Sequence, residues 1–357
     1  MQTSPSSVAP FPGRVTWIDG ARGIAIVLVV LFHAGMFTVP TGLASAWWEP
    51  LNLVFALLRM PLFFLVAGML AVGAVTRSWP ELWRTRLAVL VWVFVVWTVL
   101  RFAYYQVIPE PIDLNQSSWL DFVLSIVRPS NGLWFLFALA LFLIAAKALH
   151  GRAHRWIVLA VAAVASSFAH GGVSFGNVTY DGIMKYFVFF MIGLYLREPI
   201  VRFVHRRRWL ATFALLAVFT AAIVLRGATG WFVDAVTAVP VGVIAVAFGL
   251  CLARALVGTT FTLPLARPLE HLGRRTLQVY VTHILLLSTF TSVLLPFADT
   301  AVVAALRPAM PVLMSAIAIP LSLAIAAGCA RVPVLRLLYV APAWFARDRA
   351  GTATSRG

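Results

Sequence analysis

Residues 19–33 read Asp19-Gly20-Ala21-Arg22-Gly23-Ile24-Ala25-Ile26-Val27-Leu28-Val29-Val30-Leu31-Phe32-His33, a charged approach that runs straight into an apolar helix carrying one histidine. Ten residues separate Arg22 from His33. At 1.5 Å and 100° per residue that separation is roughly three turns and about 16 Å, so both side chains fall on one face of one helix. If Arg22 marks the water boundary, His33 lies near the middle of a ~30 Å hydrocarbon layer. An ionisable group at that depth is costly unless it faces protein or water, and it is either tied to a neighbouring helix or used in function. The pairing with Arg22 favours function.

Composition agrees with a chain built for lipid. It is 62% hydrophobic and only 11% charged, with mean hydropathy +0.94. Soluble domains carry about 25% charged residues. Apolar runs long enough to span occur at about 23–39, 51–75, 87–108, 133–149, 156–170, 183–196, 209–225, 233–257, 277–298 and 309–330. We therefore expect an all-α, polytopic transmembrane bundle of about ten spans. Ala44-Ser45-Ala46 offers a signal-peptidase pattern, but the first run is longer than a signal core and contains His33. It reads as the first span.

The formal charge of +16 is explained by topology. With the amino terminus in the cytosol, 22 of the 28 Lys and Arg fall before the first run, in alternate connections, or after the last run. The remainder are Arg59, Arg101, Arg128, Lys185, Arg226 and Arg307. This is the positive-inside asymmetry, and it places both termini in the cytosol; the expected location is the cell membrane, as a multi-pass chain. Nucleic-acid binding is not needed to account for the charge, and no reader motif is visible. Cys251 and Cys329 both lie in apolar runs and support neither a disulfide framework nor a metal site.

Residues 1–13, rich in Ser and Pro, are expected to form a disordered cytosolic tail, followed by one transmembrane domain over 14–340 and a second cytosolic tail over 341–357. The longest outer connection, 109–132, carries Glu110, Asp113, Asp121 and Arg128. Counting from the span boundaries, Arg59 sits roughly 12 Å below the outer edge of the second run, near Pro61, which removes a backbone donor. Tyr280 and His283, at i and i+3 on one face of the ninth run, reach a similar depth to His33. Asn131 and Trp134 open the fourth run, and Lys185 lies just inside the sixth. Trp134 also suits an interfacial anchor, and Lys185 a snorkelling cation.

The step from Asp19 and Arg22 to His33 resembles the opening of acyltransferase family 3, the integral-membrane O-acyltransferases. Four later stretches agree in order: Pro61-Leu62-Phe63-Phe64 followed by Gly68, Leu133-Trp134-Phe135-Leu136, Lys185 to Gly193, and Leu272-Gly273 with Tyr280 and His283. The resemblance spans about residues 19–285. Two departures stand out. Ala67 occupies a position where the family usually has a small hydroxyl residue, and Arg84-Thr85-Arg86 stands where it often has two arginines separated by two residues. Some members carry a fused extracellular esterase domain, which we do not expect here.

The resemblance implies transfer of an acyl group, commonly acetyl and sometimes succinyl, from acyl-CoA to a hydroxyl of a carbohydrate or small molecule, without a metal. On that reading His33 is the general base, Arg59 a candidate stabiliser of the thioester oxyanion, and Arg22, Arg84 and Arg86 contacts to acyl-CoA. Guanidinium groups suit phosphates. Asn131, Trp134, Lys185, Tyr280 and His283 are candidates for the acceptor site. The opposing expectation is a transporter or flippase in which intramembrane His and Arg form a proton or substrate path. No inverted repeat supports it.

Overall fold

The computed structural model describes residues 16–112, 117–129, 132–205, 209–227 and 231–346. The expected tail over 1–13 and the end of the second tail, from 347 on, lie outside the described residues. Every apolar run forms a helix: α1 (Thr16–Thr38), α2 (Trp48–Val75), α3 (Ala88–Tyr105), α4 (Trp134–Leu149), α5 (Arg155–His170), α6 (Val178–Tyr195), α7 (Trp209–Gly227) and α8 (Trp231–Val257). After an additional helix, α9 (Leu263–Arg274), come α10 (Thr276–Leu294) and α11 (Met310–Cys329). No strand occurs among the described residues.

Seven of these helices are long and apolar enough to cross a membrane, while α4 and α5 are shorter apolar helices. The chain is a membrane protein with an all-helical fold. Its third long helix begins early. Ser78 caps a short turn, Trp79–Leu82, by accepting from the Glu81 amide at 3.4 Å, and a π segment, Trp83–Leu87, leads into α3. That π segment carries Arg84 and Arg86. Widened turns of this kind re-aim side chains and recur at functional sites.

The first helix is the hub: α1 packs against α2, α8, α9, α10 and α11. Its small residues permit this. A Cβ on Gly23 would collide with the Leu269 carbonyl, and one on Gly273 with the Asp19 carbonyl, so the start of α1 and the α9–α10 corner meet backbone to backbone. The same device joins α2 and α6, where Gly68 faces the Phe190 carbonyl and Gly193 the Leu65 carbonyl. Close crossing on small residues is how helices gain contact where lipid offers no hydrophobic drive. Gly68, Gly193 and Gly273, which belong to the stretches quoted for the resemblance, thus serve as crossing points.

The basic connection after α8 is a difference from the sequence reading. It folds as α9, an amphipathic helix with Ala266, Leu272 and Gly273 buried, and Arg267 and Arg274 exposed. The end of the described chain also folds back. The indoles of Trp83, Trp92 and Trp97 donate to the carbonyls of Phe345, Leu337 and Leu338, so residues 337–345 lie along the start of α3.

Candidate active site

His33 is set by its own helix and by α10. Its Nδ1 lies 2.8 Å from the Val29 carbonyl oxygen, one turn earlier. A carbonyl can only accept, so Nδ1 carries the proton and donates. The Nδ1 of His283 lies 2.9 Å from the Val279 carbonyl and donates for the same reason. His283 Nε2 is then a bare acceptor, and it faces His33 Nδ1 at 3.2 Å. The proton on His33 Nδ1 is shared between Val29 and His283, and the ring centroids stand 5.0 Å apart. This fixes the tautomer: His33 Nε2 is the unprotonated nitrogen, with no hydrogen-bond partner among the described residues.

His33 lines a cavity of about 430 Å³ together with Arg59, Trp134, Asp181, Lys185 and Tyr280. Arg59 is buried at 7% exposure, and its guanidinium sits 4.0 Å over the ring of Phe32, the neighbour of His33. One guanidinium nitrogen, Nη1, has no hydrogen-bond partner, and Arg59 forms no ion pair among the described residues. Trp134 and Tyr186 stack at 6.1 Å, and Tyr186 stacks in turn on Phe64 at 5.7 Å, giving the cavity a stiff aromatic wall.

At the α6 end of this cavity, Asp181 is tied into the preceding turn. Its carboxylate accepts from the Ser174 hydroxyl at 2.6 Å and from the Phe175 amide at 2.7 Å. Burial pushes this carboxyl up, but those two hydrogen bonds and the Lys185 charge outweigh burial and hold it below the usual carboxylate range. Asn177 caps α6 by accepting from the Thr179 and Tyr180 amides. Arg128, from the 109–132 connection, donates to the Gly176 carbonyl at 2.8 Å, so that connection is pinned beside the cavity.

A second cavity, about 240 Å³, holds Arg22, Thr85, Arg86 and Thr276 against apolar side chains including Ala67. Arg22 donates to the Thr276 hydroxyl at 2.8 Å and lies 3.8 Å from the Asp19 carboxylate. Arg84 is exposed and lines neither of these cavities. Ala67 faces this cavity and brings no hydroxyl to it, while Thr85 and Thr276 supply two.

Phe135 and Tyr280 line both cavities. The Tyr280 hydroxyl donates to the Gly132 carbonyl at 2.6 Å and accepts from the Phe135 amide at 3.2 Å. The partition between the cavities is thus pinned to the start of α4.

Of the residues singled out by sequence, His33, Arg59, Trp134, Lys185 and Tyr280 converge on one cavity, and Arg22 and Arg86 on the other. His283 does not line either; fully buried, it stands behind His33. Asn131 lies outside the described residues. Sequence reasoning missed Thr276. Thr276 begins the helix that carries His283, but nothing in one sequence pairs it with a residue 254 positions away.

A family model described as an acyltransferase domain matches residues 15–331. Among curated proteins, the chain is similar to nodulation protein NolL of Mesorhizobium japonicum (strain LMG 29417 / CECT 9101 / MAFF 303099), with 25% identity over 191 residues. That match covers 51% of this chain and 48% of the relative, so the chain spans about half the length of the curated protein it matches. No solved structure matches.

Proposed function

The chain belongs to the acyltransferase domain family, and from that premise we propose that it moves an acyl group, most simply acetyl, from acyl-CoA to a hydroxyl of a carbohydrate or related small molecule at the cell membrane. The observation that carries this reading is a histidine with its Nδ1 proton held and its Nε2 bare, in a cavity that meets an arginine-lined cavity across Phe135 and Tyr280. Two substrates of different chemistry can approach one base from opposite sides.

The donor side is the Arg22 cavity. Its size suits the acylated arm of acyl-CoA, leaving the nucleotide phosphates at the mouth near Arg86, where a guanidinium fork matches phosphate oxygens. The arm enters between Thr85 and Thr276 and brings the thioester up to Phe135 and Tyr280. On the positive-inside reading this mouth faces the cytosol, where acyl-CoA is found.

The acceptor occupies the His33 cavity, with a sugar face on Trp134 and Tyr186. Its hydroxyl is a poor nucleophile until a base takes the proton, and His33 Nε2 is the nitrogen available to do so. The oxygen then forms a bond to the thioester carbon, and the carbonyl oxygen gains negative charge, which Arg59 Nη1 is placed to meet. Collapse breaks the carbon–sulfur bond. The leaving thiolate takes the proton back from His33 Nε2, so the products are ester and coenzyme A, and the histidine ends neutral.

Direct transfer is favoured over an acyl-serine or acyl-cysteine, because neither a serine nor a cysteine is among the described residues lining the two cavities. The test is acceptor-dependent release of coenzyme A thiol from acetyl-CoA by the purified protein in lipid nanodiscs, with mass spectrometry of the acceptor. A gain of one acetyl group per acceptor supports the proposal. Uptake of acceptor into vesicles without any acyl donor, and no thiol release, would replace it with the transporter reading.

A further inference from the structure

The His33 cavity carries more positive charge than transfer to a neutral alcohol requires. Arg59 and Lys185 are its two cationic side chains, and Asp181 is the one acidic side chain among the described residues lining it. Neither cation forms an ion pair among the described residues. Asp181 is already engaged by Ser174 and Phe175, which ties it to the turn before α6. The amino-terminal end of α6 adds its own partial positive charge, since Gly176, Asn177 and Val178 line the same cavity.

With Asp181 offsetting one of the two cations, this aromatic-walled space keeps one positive charge in excess, and the Lys185 ammonium donates no hydrogen bond among the described residues. The developing oxyanion of the thioester answers one cation, and only transiently. Arg59 is the deeper and stands beside Phe32 and His33, so it is the one matched to the oxyanion. Lys185 lies one turn along α6 from Asp181, on the same helix face, and its charge reaches that carboxylate, but the Asp181 oxygens accept from Ser174 and Phe175 and the ammonium itself is left without a hydrogen-bond acceptor among the described residues. A permanent anion on the acceptor would supply it.

We propose that the acceptor bears an anionic group, a carboxylate or phosphate ester on the sugar, that binds Lys185 while the reacting hydroxyl reaches His33 Nε2. This rests on the acyl-transfer reading and narrows it from hydroxyl compounds in general to acidic glycosides or glycosyl phosphates. Trp134 and Tyr186 take the ring, Lys185 the charge, and the distance between Lys185 and His33 selects which hydroxyl is acylated.

The experiment compares matched acceptors with the purified full-length protein in nanodiscs: methyl glucoside, methyl glucuronide and methyl glucoside 6-phosphate, each with acetyl-CoA. The parent should acylate at least one anionic acceptor with kcat/KM about tenfold or more above the neutral one, the usual worth of a charge-assisted hydrogen bond. In Lys185→Gln that ratio should fall toward one, and Lys185→Arg should keep it. The carboxylate and phosphate arms identify which anion fits.

A parent that prefers the neutral glucoside, or a preference unchanged in Lys185→Gln, overturns the inference while leaving acyl transfer standing. Where none of the three is turned over, acyl transfer to these sugars fails separately, and the anion site is read by thermal stabilisation without acyl donor. Saturable stabilisation by an anionic sugar that is lost in Lys185→Gln supports the site, and its absence for both anions overturns it.

Discussion

Replacing His283 should slow transfer without weakening either substrate. Its Nε2 is the second acceptor for the His33 Nδ1 proton, at 3.2 Å, and its side chain is fully buried and lines neither cavity. In the resting state this is a hydrogen bond between neutral groups, worth about 0.5–1.5 kcal/mol. When His33 takes the acceptor proton the same bond has a charged donor, worth about 1.5–3 kcal/mol. The difference, about 1–1.5 kcal/mol, is realised only as the imidazolium forms, and corresponds to roughly a tenfold loss of turnover. His283→Ala should therefore lower kcat by about tenfold, plus whatever freedom His33 gains to turn toward other tautomers, with KM for donor and acceptor near parental values. His283→Gln, whose amide oxygen can stand near the lost Nε2, should recover part of the rate. Stopped-flow thiol release under single-turnover conditions reads the rate, and melting curves check that a buried deletion has not unfolded the protein. A change confined to KM, or a Gln variant no better than Ala at equal stability, would refute the positioning role.

Other consequences can be checked in the same preparation. Arg86→Ala should raise KM for acetyl-CoA more than it lowers kcat, because contacts to phosphate hold substrate and transition state alike, whereas Arg84→Ala, outside both cavities, should change it little; equal effects would place the donor phosphates elsewhere. Gly68→Ala puts a methyl against the Phe190 carbonyl at the α2–α6 crossing and should destabilise the fold by about 1–3 kcal/mol, seen as a lower melting temperature. Because the Asp181 carboxyl is held below its usual range, its anchoring of the turn before α6 is fully present above the ordinary carboxylate pKa and is lost as pH falls through the lowered value. Corrected for intrinsic exchange rates, protection of the Phe175 amide should fall at acid pH in the parent, and Asp181→Asn should remove that pH dependence.

Much of this arrangement is legible in the chain because membrane helices leave a plain record. The apolar runs are helices in the structure, and the ten-residue gap between Arg22 and His33 places the two on one helix, one in each cavity. Depth counting also brought Arg59 and Tyr280 to the level of His33. It could not show which way a side chain turns: His283 reads as a substrate contact, whereas its Nε2 faces His33 Nδ1 and it lines neither cavity. Likewise Arg84 and Arg86 look equivalent until the π segment aims only one of them into a cavity. The α9 helix was hidden by its charges: Arg267, Glu270, His271 and Arg274 resemble a solvated loop, although Ala266, Leu272 and Gly273 mark its buried side. Gly68 and Gly193 were visible as motif residues, but their use as backbone crossings depends on which helices are neighbours, a tertiary fact.

The central claim is that His33 Nε2 takes the acceptor proton. The direct measurement is single-turnover acyl transfer by purified His33→Ala, set beside Arg22→Ala at matched expression and melting behaviour. A positioned base is worth about 10²–10⁴ in rate. The account predicts a loss of that order in turnover for His33→Ala with acyl-CoA binding retained, because the histidine lies outside the Arg22 cavity. Arg22→Ala should instead show a defect at least partly in donor affinity, since its guanidinium lines the donor cavity and sits about 16 Å along the helix from the base. Near-parental turnover in a folded His33→Ala protein would contradict the account and return His33 to a purely structural role beside His283.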